Sequence, residues 1–276
     1  MTDDTGPPTD GSGPTDAGPA QAHRNRELEQ AARLLASHAP PDWEQRFRRD
    51  ELLHAVVDGQ PIDMFVMAAD IRGSTMLMKE AIRFERFALV MDKFVSAVRR
   101  GIQGSGGWFD KFLGDGFLAY WIMQPGSPDE TERAFVQTAG NLVHTAHSLI
   151  TLFHTRVLED FRANSRNLSA GAGLSIGLDG GPGHVVKIAD ELTIVGPPVV
   201  GAVRMVTAAS RPQEILTNVY LGRRLLEEQD GAYGELGMTV ARQTRATKEY
   251  PRGQEIYALT FDDDDDHDSG SEGDSG

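Results

Sequence analysis

Two aspartates stand where a chain can hold a divalent cation. Asp70 closes a short apolar run, Met64-Phe65-Val66-Met67-Ala68-Ala69, and is followed by Ile71-Arg72-Gly73-Ser74-Thr75, a turn that opens a helical pattern. The run has the composition of a strand buried on both faces. A carboxylate at its end, beside a helix N-terminus with free N–H groups, can bind a metal while the amides take a phosphate. Asp115 falls in Phe109-Asp110-Lys111-Phe112-Leu113-Gly114-Asp115-Gly116, where glycine on both sides lets a ligand approach the backbone. Two carboxylates on neighbouring strand ends can hold two cations roughly 3.5–4 Å apart, the arrangement that serves in-line displacement at phosphorus. Each residue alone also has a plainer reading: a strand-end cap for Asp70 and an Asp-Gly turn for Asp115.

These carboxylates need elements to position them, and the pattern along the chain supplies candidates. Residues 24–38 place Leu28, Ala31, Leu34 and Leu35 at helical spacing and stop at Pro40-Pro41, and a second short helix is expected over 43–57. This pair reads either as a dimerisation or regulatory element or as a cap on the domain. From Ile62 onward strands and helices alternate, as in an α/β sandwich. The expected elements are a strand at 64–69, a helix at 75–100, a hairpin at 108–121 and a long helix at 130–161. Strands at 171–188 and 192–195, a helix at 197–209, a strand at 214–217 and two strands within 238–261 follow. No repeat is evident.

Charge and composition exclude several classes of function. The 276 residues carry a net charge of −14, but four acids and no Lys or Arg lie in residues 1–22, and eight acids without a base lie in 262–276. The body between these tails therefore has a net charge of only −2, without the basic face that nucleic acid requires. Both tails lack bulky apolar residues and are expected to be disordered. The chain has no cysteine, so thiolate metal sites and disulfides are excluded. No apolar run reaches membrane-span length and the start lacks a signal-peptide pattern, so a cytoplasmic location is expected.

A third segment completes the set: Leu192-Thr193-Ile194-Val195-Gly196-Pro197-Pro198-Val199-Val200-Gly201-Ala202-Val203-Arg204-Met205. The stretch Phe65 to Thr75 resembles the first metal motif of class III adenylyl and guanylyl cyclases, and Lys111 to Gly116 resembles the second. The third is similar to that family's segment that contacts base and ribose. The three occur in the family's order, over about residues 62–261. The resemblance implies a ferredoxin-like βαββαβ sandwich that forms a homodimer. Its implied activity is a lyase reaction making a 3′,5′-cyclic nucleotide and pyrophosphate from a nucleoside triphosphate, ATP first and GTP second. It implies that Asp70, Asp115 and the Ile71 carbonyl bind two divalent cations, Mg²⁺ or Mn²⁺, and that Gly73, Ser74 and Thr75 present amides to the phosphates. It also implies that Arg204 reaches the transition state from the partner subunit. Lys111 and Thr193 would contact the base, and Lys248 would contact the triphosphate.

One position departs from the family pattern. Val200 stands where the family has an Asn that orients the ribose, and Val neither donates nor accepts a hydrogen bond. This leaves two alternatives open. One is a pyrimidine cyclase acting on UTP or CTP, like those of Pycsar anti-phage systems; the other is a silent cyclase-like module that binds nucleotide or regulates a partner. His144, His147 and His154 share a helix side, the first two at ligand-like spacing, but read as residues flanking an apolar stripe. The glycine-rich Gly177 to Gly183 lacks the Lys-Ser/Thr of a phosphate loop and reads as a β-turn.

Overall fold

The apolar run that ends near Asp70 is the middle of an 11-residue strand, β1 (Ile62–Arg72), at the centre of the sheet. In the computed structural model, which describes residues 18–123, 128–165, 171–247 and 250–262, β1 is covered on both faces. Phe65, Met67, Ala69 and Ile71 enter one core, and Met64, Val66 and Ala68 enter another. Two covered faces explain an apolar sequence that does not alternate.

The chain opens with α1 (Pro19–His38), α2 (Trp43–Arg46) and α3 (Arg49–Asp58). After β1 come α4 (Ser74–Glu80), α5 (Phe84–Gly104), the hairpin β2 (Trp108–Phe112) and β3 (Gly116–Ile122), and α6 (Pro128–Leu152). A π-helical turn at Phe153–Val157 leads into α7 (Leu158–Arg162). Then follow β4 (Gly173–Ile188), β5 (Glu191–Val195), α8 (Pro197–Ala208), β6 (Ile215–Thr217), α9 (Val219–Glu228), β7 (Met238–Arg245) and β8 (Gln254–Phe261). The strands run in the order β2-β3-β1-β4-β6-β8-β7, with β5 paired to the outer half of β4. The pairs β2–β3, β3–β1 and β1–β4 are antiparallel and β4–β6 is parallel. With a helical layer between β1 and β2 and another between β3 and β4, the first four strands form the expected ferredoxin-like βαββαβ unit.

Helices α5, α6, α7 and α9 share the first core. Helices α1, α3 and α8, with Trp43 of α2, share the second. There Trp43 and Phe47 set their ring edges on Trp108 at 5.7 Å each, and Trp108 stacks on Tyr120 at 5.9 Å. Burying aromatics of this size removes enough apolar surface to contribute about 2–3 kcal/mol each. Residues 23–60 thus share one hydrophobic core with β1, β3 and α8. Among the described residues no helix is long and apolar enough to cross a membrane.

Several elements differ from the sequence expectation, each for a tertiary reason. Helix α1 starts at Pro19, inside the segment expected to be a disordered tail, with proline in its first turn where a missing N–H costs nothing. The helix expected over 75–100 is broken at 81–83, where Ile82 donates to the Asn164 carbonyl at 2.8 Å and Asn164 Nδ2 donates to the Arg83 carbonyl at 3.1 Å. The helix expected over 43–57 is interrupted at Phe47, whose ring turns in to Trp108. The expected strand at 171–188 forms as β4, but the turn expected within it does not: the glycine-rich segment is paired to β1 from Gly177 to Gly183. Glycine serves there for close approach: a Cβ on Gly177 would lie 2.1 Å from the Ala202 carbonyl oxygen of α8. Helix α9, capped by the Asn218 side chain accepting from the Leu221 N–H, has no counterpart among the expected elements.

Candidate active site

Asp70 sits two residues from the end of β1, opposite Gly116 of β3 and Ser175 of β4. Its side chain shares the strand face of Val66 and Ala68, toward α8. The β2–β3 hairpin turns back at Gly114 (φ 82°), and the Asp115 carbonyl accepts from the Ile71 N–H at 3.1 Å. That bond ties the hairpin tip to the end of β1. Asp70 and Asp115 therefore line a single cavity of about 360 Å³, together with Ala68, Leu118 and the α8 residues Val203, Val206 and Thr207.

The electrostatics of this cavity follow from that proximity. Burial raises the Asp70 pKa, the Asp115 charge raises it further, and Arg72 opposes both. Arg72 holds its Nε 3.8 Å from the Asp70 carboxylate while its Nη2 donates to the Val206 carbonyl. Ser74 Oγ donates to Asp115 Oδ2 at 2.5 Å. Gly73 takes a left-handed φ of 72° and brings the start of α4 to the carboxylates; the first helical bonds run from Met76 and Leu77 to its carbonyl. Ser74 and Thr75 lie ahead of those donors, in the turn beside the cavity. A pair of mutually repelling carboxylates in one cavity is a hard-oxygen donor set suited to Mg²⁺ or Mn²⁺.

Arg204 is placed elsewhere within the same chain. It lines a second cavity of about 870 Å³ with Val199, Val200, Val203, Thr207 and Thr247. Val203 and Thr207 of α8 line both cavities, so the two adjoin along that helix, with the carboxylates lining one and the arginine the other. Val200 is 49% exposed, on the apolar wall of the Arg204 cavity. Lys248 lies outside the described residues.

Lys111 and Thr193, distant in sequence, meet through a residue that the sequence pattern does not single out. Asp110 lies at a β-bulge in β2, where the register with β3 shifts between Phe109 and Lys111. The bulge turns its carboxylate inward, to 4% exposure, while Lys111 stays half-exposed beside it. Thr193 Oγ1 donates to Asp110 Oδ2 at 3.2 Å, the Ile194 N–H also donates to the carboxyl, and Lys111 Nζ lies 3.8 Å away. Burial raises the Asp110 pKa against these partners and the nearby His38. His38, at the end of α1, bonds through Nδ1 to the Phe109 carbonyl at 2.8 Å. The only sequence signal for Asp110 is an acid set among Phe109, Lys111 and Phe112.

A second buried acid, Asp179 of β4, lies beneath α8. It accepts from the Gly180 N–H at 2.6 Å and from Asn218 Nδ2. Burial pushes its pKa up to about 7, opposed by the Gly180 N–H and the Arg204 charge. The sequence pattern places it in a turn, and only the packing of α8 on β4 reveals it. The three histidines of the long helical pattern do not converge: His147 stacks on Phe261 at 3.9 Å, and His154 meets Gln213 Nε2 at 2.9 Å.

No protein-family model and no curated protein sequence matches the chain. Solved structures do match. The adenylyl cyclase CyaB from P. aeruginosa aligns with a TM-score of 0.58 at 21% identity, covering 73% of this chain and 95% of that one. The guanylyl cyclase Cya2 aligns with a TM-score of 0.54 at 20% identity, over 74% and 94% of the two chains. The guanylate cyclase domain of RhGC from Catenaria anguillulae, in complex with GTP, aligns with a TM-score of 0.52 at 17% identity, over 72% and 97%. At these identities it is the architecture that is shared: the chain has the fold of the catalytic domains of adenylyl and guanylyl cyclases.

Proposed function

We propose that this chain is a class III nucleotide cyclase, acting as a homodimer on one nucleoside triphosphate, with ATP the favoured substrate and GTP the alternative. The observation that carries the reading is the meeting of Asp70 and Asp115, from separate strands, in one cavity beside the α4 turn. Asp70, Asp115 and the Ile71 carbonyl would hold two divalent cations, Mg²⁺ or Mn²⁺. Bound there, the cations would supply Lewis acidity to the ribose 3′-hydroxyl and charge neutralisation to the triphosphate.

The chain's own groups do the rest by positioning. The turn Gly73-Ser74-Thr75 offers amides to the phosphates, and Lys111 and Thr193 meet the base. Lys248 is assigned to the triphosphate. In the reaction the 3′-oxygen bonds to the α-phosphorus as the bond to the leaving pyrophosphate breaks, and the 3′-hydroxyl proton is released. Arg204 would face that developing charge from a second copy, lining a cavity that does not include the carboxylates of its own chain.

Val200 favours a second reading. The Arg204 cavity offers an apolar wall where a ribose-orienting amide is expected, which suits a pyrimidine substrate held differently or a module that binds without turnover. Purified protein incubated with Mn²⁺ and each of ATP, GTP, CTP and UTP, with products identified by mass spectrometry, separates these readings. A cyclic nucleotide from ATP that disappears in Asp70→Ala is the expected result. Cyclic product persisting in Asp70→Ala would overturn the metal assignment, and absence of product from every nucleotide would favour the binding module.

A further inference from the structure

Thr193 has a hydroxyl that can point either way, and its neighbour decides which. A threonine hydroxyl offers one donor and two lone pairs, whereas an ionised carboxylate only accepts. Asp110 is buried, receives the Ile194 N–H, and lies 3.8 Å from the Lys111 ammonium, two donors that an ionised carboxylate satisfies by accepting. Thr193, 3.2 Å from Oδ2, then gives its single proton to that acceptor. Any ligand reaching Thr193 then finds a lone pair there, with the donors of Lys111 alongside.

We infer that Asp110 is the positioning residue that sets nucleobase selectivity, by fixing Thr193 as a hydrogen-bond acceptor and Lys111 as the adjacent donor. The inference rests on the cyclase reading, in which Lys111 and Thr193 face the base. A base must then offer a donor to Thr193 and an acceptor to Lys111. Adenine and cytosine carry an exocyclic amino donor where guanine and uracil carry a carbonyl acceptor. The two classes therefore present inverted edges to a fixed pair, and only one class fits a given seating of the base. The exocyclic group projects furthest, and Thr193 is the more buried of the two protein groups, which selects the amino-bearing bases.

The test exploits an asymmetry among the groups around Asp110. In Asp110→Asn one oxygen remains to accept and the other position becomes a donor. The Ile194 N–H and the Lys111 ammonium cannot reverse, but the Thr193 hydroxyl can. It would accept from the new amide and turn its proton toward the ligand. Turnover of ATP, CTP, GTP and UTP, and binding of each by titration calorimetry, would be measured for the parent, Asp110→Asn, Thr193→Val and the double variant, with melting temperature as the check on folding. The expected result is an amino-over-keto preference in the parent that moves at least tenfold toward keto bases in Asp110→Asn. In the Thr193→Val background the Asn substitution should leave the ratio unchanged, because the group it acts through is gone. A uniform loss across all four nucleotides would reduce Asp110 to a structural role and overturn the inference while leaving the cyclase reading intact. A parent that prefers GTP or UTP would overturn it in the same way. A parent that neither turns over nor binds any of the four would overturn both.

Discussion

Gly201 lies on the buried side of α8, three residues before Arg204, and its replacement by alanine gives a severe test of how this helix is seated. In an ordinary helix interior Gly→Ala stabilises by roughly 1 kcal/mol, because alanine loses less conformational freedom on folding. Here the new methyl would lie 1.5 Å from Asp179 Oδ2, 2.6 Å from its Cγ and 3.2 Å from its Cβ. Either α8 lifts off β4, or Asp179 rotates and gives up its bonds from the Gly180 N–H and Asn218. Overpacking costs about 1–3 kcal/mol and, where Asp179 also gives way, an orphaned buried polar group about 1–3 more, so after the helix gain the net loss is on the order of 1–5 kcal/mol. For a domain of this size that is a fall in melting temperature of about 2–20 °C. Scanning calorimetry of Gly201→Ala, Asp179→Ala and the double variant measures it. In the Asp179→Ala background the two closest clashing atoms are absent, so Gly201→Ala should cost about 0.5–3 kcal/mol less than in the parent, the usual range for touching residues. A Gly201→Ala protein that melts with the parent, or additive costs in the double variant, would refute the close seating of α8 on Asp179.

Two further outcomes follow from the buried carboxylates. Asp70→Asn removes one of two repelling charges whose proximity and burial raise the Asp70 pKa, so in metal-free buffer at pH 7 it should melt at or above the parent temperature while losing cyclase activity; a clear drop in melting temperature would contradict the repulsion. Asp179, with a folded pKa of about 7 against 3.8 for the free side chain, binds its proton more tightly in the folded state. Its ionised form therefore weighs against folding, and stability should decline as pH rises from about 4 to about 7, by up to about 4 kcal/mol from a gap of about three pH units. Asp179→Asn should flatten that part of the stability–pH profile measured by urea denaturation. A profile unchanged by the substitution would show that Asp179 does not titrate in this window.

What the chain declares in one dimension is periodicity and local chemistry. The apolar run before Asp70, the Gly-Asp-Gly turn at Asp115 and the helical spacing after Pro197 are legible because strand, turn and helix each leave a short-range signature. The order of β1, β2, β3 and β4 in the sheet matches what the motif resemblance implies. Packing decided the rest. The break between α4 and α5 depends on Asn164, some eighty residues away, and the glycines of β4 are strand residues only because α8 and β1 press against them. Asp110 and Asp179 carry no local mark of burial, since an acid's surroundings are set by a bulge and a crossing helix that the sequence does not encode nearby. The same holds for the division of labour along α8. The spacing puts Val200 and Arg204 on one helical face, but only the three-dimensional path of the sheet brings Asp70 and Asp115 together into one cavity against that helix, because strand pairing joins residues by register and not by distance along the chain.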